Sequence, residues 1–337
     1  MGVWYKERTE KNPSVISSRI RLARNIKGLP FPQRMNDNQK SELLEKVKNI
    51  LDSARILEVG ALKYFNLSDI PEQELYAMVE RHIISPEFAQ KQGERGIVIS
   101  EDETVSVMLL EEDHIRIQVL LGGLELTKAY GIALKVEELL AKKLELAFDN
   151  NLGYLTACPT NLGTGLRASV MLHLPVLESV GSLSELASSV SKIGLTVRGM
   201  YGEKSVSHAA LYQLSNQVTL GISEDAAIEN LTAITGQITS REENALKQLP
   251  KTDLEDSVYR ALGTLKYARK LSSEEMMKLI SRVKLGDFAG ILKLKDSSLP
   301  ITLLIETQPA FLQKNHGMMT PEDRDELRAK IIREALI

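Results

Sequence analysis

The pattern of hydrophobic and polar positions from Val15 to Leu22 reads as an alternating segment. Val15, Ser17, Arg19 and Arg21 fall on one side of an extended segment, and Ile16, Ser18, Ile20 and Leu22 on the other, the period of a β-strand. Gly96–Ser100, Thr104–Leu110 and His114–Leu121 also read as strands, with the acidic run Glu101-Asp102-Glu103 as a turn between the first two. Gly194–Tyr201 and Val206–Gly221 read as further strands. Between these runs the spacing changes to that of helices. Asn38–Ile56 carries Leu43, Leu44, Val47, Ile50 and Leu51 on one stripe, Pro71 opens a helix reaching about Ile84, and Leu124–Phe148 reads as one long helix. From Ser223 onward the chain is helical in character: Ser223–Leu249, with Ser223 as its cap, then Leu254–Leu285 and Pro321–Ile337.

Short strand runs dominate residues 12–221 and helices the remainder. The expected fold class is therefore α+β: an antiparallel-sheet catalytic domain at 1–222, followed by an all-helical C-terminal domain at 223–337. The chain's 337 residues suffice for two cores. With 43% hydrophobic and 26% charged residues and a net charge of -3, nothing points to nucleic acid or membrane as a partner. The N-terminus lacks an apolar signal segment, and no apolar run nears the length of a membrane span. A single cysteine, Cys158, cannot form an internal disulfide, which fits a reducing cytoplasm. No paired C-x-x-C or H-E-x-x-H occurs, so no metal site is expected. Walker, Rossmann and protein-kinase signatures are absent as well.

The candidate chemistry lies in arginines on strand faces. Arg19 and Arg21 project the same way, and Glu112, His114, Arg116 and Gln118 share one parity opposite Ile115, Ile117 and Val119. Arg167 follows Gly163-Thr164-Gly165 at an expected helix start, and Arg198 precedes Gly199. Five arginines converging on one surface would repel one another, and a triphosphate relieves that repulsion through charge-assisted bonds. Glu111, of opposite parity to Glu112, and the Glu101–Glu103 turn read as solvated; His114 and His173 read as structural.

The blocks SSRIRLARN (17–25), EEDHIRIQ (111–118), CPTNLGTGLRASVMLHLP (158–175) and VRGMYGE (197–203) resemble, in order and spacing, the phosphagen (ATP:guanido) kinases, and within them the protein-arginine kinases of bacteria. The resemblance implies that Arg19, Arg21, Arg116, Arg167 and Arg198 hold the phosphates of ATP. It implies nucleotide contacts along Ser17, Ser18, Arg19, Ile20 and Arg21, along Arg167, Ala168, Ser169, Val170 and Met171, and along Arg198, Gly199, Met200, Tyr201, Gly202 and Glu203, with His82 near the base. It implies Glu112 and Glu203 as the carboxylates that grip the acceptor guanidinium, Cys158 as the reactive thiol beside it, and Mg²⁺ as the companion of ATP. The chemistry is coherent: a guanidinium is protonated up to a pH above about 12 and nucleophilic only as it loses a proton, so it needs acids that orient it and accept that proton.

Only sixteen residues precede Ser17, whereas the kinases of small guanidino metabolites resemble one another in an N-terminal helical domain that closes over the substrate. An open acceptor site, suited to arginine on a protein surface, is therefore expected. In the C-terminal helices Arg324, Asp325, Arg328 and Ala329 match the R-D-x-x-R-A motif that the resemblance assigns to phosphoarginine binding. The resemblance further implies a homodimer, a zinc-containing activator protein, and Clp-protease degradation of marked proteins, with a heat-shock repressor among the substrates. A kinase of free arginine, and an adaptor that binds phosphoarginine without catalysis, stand as alternatives.

Overall fold

The computed structural model describes residues 3–6, 12–199 and 209–336. In chain order the strands are β1 (Val15–Arg24), β2 (Arg55–Ile56), β3 (Gly60–Asn66), β4 (Gly96–Ser100), β5 (Val105–Leu109) and β6 (Ile115–Gly122), then a separate hairpin of β7 (Phe148–Asp149) and β8 (Gly153–Tyr154), then β9 (Leu166–His173), β10 (Leu195–Gly199) and β11 (Leu211–Asn216). Nine of them form one sheet in the order β10-β11-β9-β1-β6-β5-β4-β3-β2. Every pairing is antiparallel, which lets one face be packed and the other stay partly open.

Helices α1 (Asp37–Leu51), α2 (Glu72–Glu80), α3 (Pro86–Gln90), α4 (Leu126–Ala141), α5 (Pro175–Ser179), α6 (Leu183–Ser191) and α7 (Glu224–Gln248) accompany the sheet. Five more follow: α8 (Lys251–Tyr267), α9 (Ser273–Phe288), α10 (Leu299–Glu306), α11 (Pro309–His316) and α12 (Pro321–Ala335). Asn36 starts α1 with a reciprocal capping box to Gln39. Helix α2 stops at Glu80, short of the expected Ile84, because His82 takes a left-handed φ of 61°. Helix α4 stops at Ala141; Ala147 instead bonds the Asn25 carbonyl and feeds the β7–β8 hairpin. The expected single helix over 254–285 is two, because Ser272 caps a fresh start at Ser273, its side chain accepting from the Glu275 amide.

The two sheet faces carry different cores. Ile20, Leu22, Val107, Ile117, Val119, Ala168, Val170 and Leu214 pack beneath α1, α4 and α7, and Ala227, Ile228, Leu231 and Ile238 of α7 join that cluster. On the opposite face Ile97, Ile99 and Met108 pack under α2 and α3. Ile16, Leu120 and Leu211 pack against Trp4, Tyr5 and the C-terminal helices. A β-bulge between Val15 and Ser17 breaks the alternation expected there. It sends Val15 into the first core and Ile16 into the other. Between the two covers on this second face lies an uncovered strip of sheet. Among the described residues, no helix is long and apolar enough to cross a membrane.

Candidate active site

The uncovered strip is where the arginines lie. Arg21 sits opposite Gln118 on β6 and Arg167 on β9, Arg19 opposite Ser169, and Arg116 opposite Ala23. Gln213 sits opposite both Met171 and Arg198. Directly opposed residues share a face, so all five arginines project together from β1, β6, β9 and β10. Arg167 is thus a strand residue and not at a helix start. Gly163 and Gly165, at φ of 105° and 60°, turn the chain tightly into the sheet instead. A Cβ on Gly163 would lie 2.2 Å from the Thr219 carbonyl oxygen, so only glycine passes there.

The cluster is electrostatically strained. Burial, then Arg167 and Arg116, pull Arg19 down to about 10. Burial, then Arg19, Arg116 and Arg167, pull Arg21 well below its ordinary value. Guanidinium keeps its proton at neutral pH regardless, so the patch stays positively charged and favours an anion. The Arg21 Nε is buried with no hydrogen-bond partner. Arg19 Nη2 donates to Gln213 Oε1, and its Nε lies 3.4 Å from Ser169 Oγ. The patch floors an open cleft walled by Glu80, His82, Ile84 and Ser85, with Met108, Gln118 and Met171 beside them. His82 is partly exposed, yet its Nε2 is covered and has no partner. Burial and nearby Arg19 hold the imidazole at about 4, hence neutral.

Not every residue of the expected nucleotide segments faces this cleft. Ser18, Ile20, Ala168 and Val170 turn to the packed face; the Ser18 hydroxyl donates to the Gly123 carbonyl. Those four can shape the cleft only through their backbone. Met200, Tyr201, Gly202 and Glu203 lie outside the described residues.

The acidic end of the site overturns one expectation. Glu111 is buried, not solvated. One of its oxygens lies 2.5 Å from Arg116 Nη1, and the other accepts from Ser85 Oγ at 2.6 Å. Glu112, its side chain 41% exposed, lies 3.2 Å from Arg116 Nη2. Arg116 is therefore shared between two acids, one sequestered and one open. Asp113 fastens this turn to the next loop: its Oδ1 accepts from Asn25 Nδ2 at 2.6 Å and from the Ala157 amide at 2.7 Å. Cys158, next in the chain, follows that anchored amide, and its Sγ lies 3.0 Å from Thr160 Oγ1. The residues after it, Thr160 and Asn161, bound a polar recess that contains Arg167, Arg198, Asn216 and Gln217. Glu103, read as solvated, instead pairs with the buried Arg81 at 3.0 Å.

His114 and His173 are structural. The first accepts from the Ile26 amide through Nδ1, and the second lies 2.8 Å from Ser281 Oγ. Sequence reading missed Glu111, Asp113, Ser85 and Gln213. Gln213 had a signal, since Gln213 and Ser215 are polar on alternate positions of a strand; Ser85 had none. In the C-terminal helices Arg328 is 1% exposed and its guanidinium donates to the carbonyls of Thr307 and Leu271 and to Asp325. Arg324, four residues earlier, is half-buried, with no ion-pair partner among the described residues.

No three His, Cys, Asp or Glu side chains gather into a metal-binding group among the described residues. The donor set instead fits a polyanion, which the orphaned Arg21 Nε and the crowding of Arg19, Arg21, Arg116 and Arg167 on one sheet face call for.

Residues 42–245 match the family described as ATP:guanido phosphotransferase, C-terminal catalytic domain, and residues 251–337 match the protein-arginine kinase McsB C-terminal domain. The chain is 43% identical to the protein-arginine kinase of Brevibacillus brevis, covering 99% of this chain and 94% of that one. It is 45% identical to that of Moorella thermoacetica, covering 96% and 93%. Among solved structures, lombricine kinase superposes with a TM-score of 0.60 at 26% identity, covering 72% of this chain and 69% of that one. The duplicated taurocyamine kinase of Schistosoma mansoni, with transition state analog components bound, gives 0.62 at 26% identity; the match covers 78% of this chain and 41% of that longer one. By sequence along nearly its whole length, this chain belongs to the protein-arginine kinases, a branch of the ATP:guanido phosphotransferase family.

Proposed function

We propose that the chain transfers the γ-phosphoryl group of ATP to the guanidinium of arginine side chains in other proteins. The observation that carries this is the convergence of Arg19, Arg21, Arg116 and Arg167 on a single sheet face beside the half-exposed Glu112. Phosphoryl transfer asks mainly for positioning and for neutralisation of charge on the moving group. The arginines supply both, Arg167 and Arg198 from the side of the Cys158 loop. Mg²⁺ enters with the ATP phosphates.

Glu112 receives the acceptor guanidinium by paired N–H···O bonds. A guanidinium nitrogen attacks the γ-phosphorus as the bond to the ADP oxygen breaks, and Glu112 takes the proton that nitrogen sheds. Arg116, now facing phosphate, is offset by Glu111, so its charge does not compete for Glu112. Cys158 lends negative character near the guanidinium, and Glu203 supplies a second carboxylate. The base lies toward His82, beside Met171. Arg324, Asp325, Arg328 and Ala329 form a product-binding motif in α12.

The cellular setting follows the family likeness: a cytoplasmic homodimer, controlled by a zinc-containing activator, marking proteins for Clp-protease degradation and phosphorylating a heat-shock repressor. The direct test incubates the protein with Mg-ATP and casein, or with free arginine, followed by mass spectrometry under conditions that spare the P–N bond. Phosphoarginine on casein is the expected result. ADP release with free arginine alone, and none on casein, overturns the reading.

A further inference from the structure

We propose that Glu80 is a positioning residue of the nucleotide site, one that ties helix α11 of the C-terminal region to the cleft wall. The inference rests on the reading that the arginine cleft takes ATP.

Three consecutive residues at the end of α2 go to three different places. Glu80 lies on the cleft wall, yet both its oxygens accept backbone N–H groups of α11, from Ala310 at 2.9 Å and Phe311 at 2.7 Å. Arg81 is locked between Glu74 and Glu103, and its carbonyl accepts from Trp4 Nε1 at 3.0 Å. His82 then enters the cleft at a left-handed φ of 61°. A non-glycine residue holds such a conformation only where its surroundings over-determine it. Gln118 Nε2 fixes the carbonyls of His82 and Ile83 from the sheet side. From the helix side Glu80 grips the turn through α11, next to the anchored Arg81.

Glu80 is also the wrong charge for its place. An acid on the wall of a triphosphate cleft repels its ligand unless its charge is drawn elsewhere. Two N–H groups at the positive end of α11 do that. Glu80 therefore acts twice: it turns its own charge away from the phosphates, and it pins the His82 turn at the height the base requires. Burial raises its proton affinity in the same place, which is why the two N–H bonds matter to it.

The test uses the full chain and Mg-ATP titrated calorimetrically without acceptor, so it reads the cleft whether or not proteins prove to be the substrate. Glu80→Ala should weaken ATP about tenfold, as expected for losing charge-assisted anchoring. In the kinase assay that change should appear in the KM for ATP, with kcat and the KM for casein within twofold. Glu80→Gln retains one acceptor oxygen and should fall between. Lys314→Met removes only the Lys314–Glu74 bridge of the same helix pair and should leave ATP affinity unchanged. ATP affinity unaltered in both Glu80 variants overturns the proposal. So does an equal loss in Lys314→Met, which would mark general loosening of the helix pair. If casein is not phosphorylated but the affinity pattern holds, the proposed substrate fails and the role of Glu80 stands.

Discussion

Glu111 and Glu112 are neighbours in sequence, yet one is buried against Arg116 and Ser85 and the other is open to an incoming guanidinium. Their separation has a local cause. Leu110 takes a φ of 63° and its amide bonds the His114 carbonyl, so residues 110–114 form a tight loop rather than a continuing strand. Strand parity, applied through that loop, assigns Glu112 to the face of Arg116 and leaves Glu111 to solvent; the positive φ at a leucine is what the sequence pattern does not disclose. Two variants separate the roles. Glu112→Gln cannot take a proton and should lower kcat on casein by at least about 10²-fold, with calorimetric ATP affinity retained. Glu111→Gln frees Arg116 to pair with Glu112, so kcat should fall about tenfold and the KM for casein should rise. Equal rates for Glu111→Gln and the parent would show that Arg116 needs no second acid.

The elements were readable in proportion to how local their causes are. β1 and β6 announce themselves by alternation, and α1 by its stripe and its cap. β9 does not, because its glycine-rich approach resembles a phosphate loop before a helix. Its strand character comes from the slot it fills between β1 and β11. The turn leading into it rests on a buried ion pair that links three elements. Arg24, at the end of β1, lies 2.9 Å from Glu137 of α4, donates to the Thr164 carbonyl and stacks 3.5 Å over the ring of Tyr154, whose hydroxyl also bonds Glu137. Removing one partner strands a buried charge. Glu137→Ala should cost about 3–5 kcal/mol, measured as a lower midpoint in urea. The double variant Arg24→Met, Glu137→Leu should recover much of that stability, because an apolar pair of similar volume carries no desolvation penalty. If the single and double variants are equally unstable, the pair acts through shape and not through charge.

At the scale of the whole molecule, the C-terminal helices cover one end of the sheet face that bears the arginines, meeting it at Ile16, Leu120 and Leu211. Sequence character marks a change at Ser223, while packing keeps α7 with the sheet. The motif in α12 shows the same gap between spacing and setting. Arg324 and Arg328 are four apart and so lie on one side of the helix. Yet Arg328 is enclosed and holds the carbonyls of Leu271 and Thr307, the latter just ahead of α11, while Arg324 remains half open. Arg328→Ala leaves those two buried carbonyls without donors and should cost at least about 2 kcal/mol, seen as a lower Tm. Arg324→Ala should change stability by less than about 0.5 kcal/mol. A phosphoarginine peptide titrated into each variant divides recognition from scaffolding: Arg324→Ala should lose the peptide while keeping its Tm. If Arg328→Ala keeps its Tm and loses only the peptide, the enclosed guanidinium serves ligand rather than fold, and the carbonyls it meets must find donors in its absence.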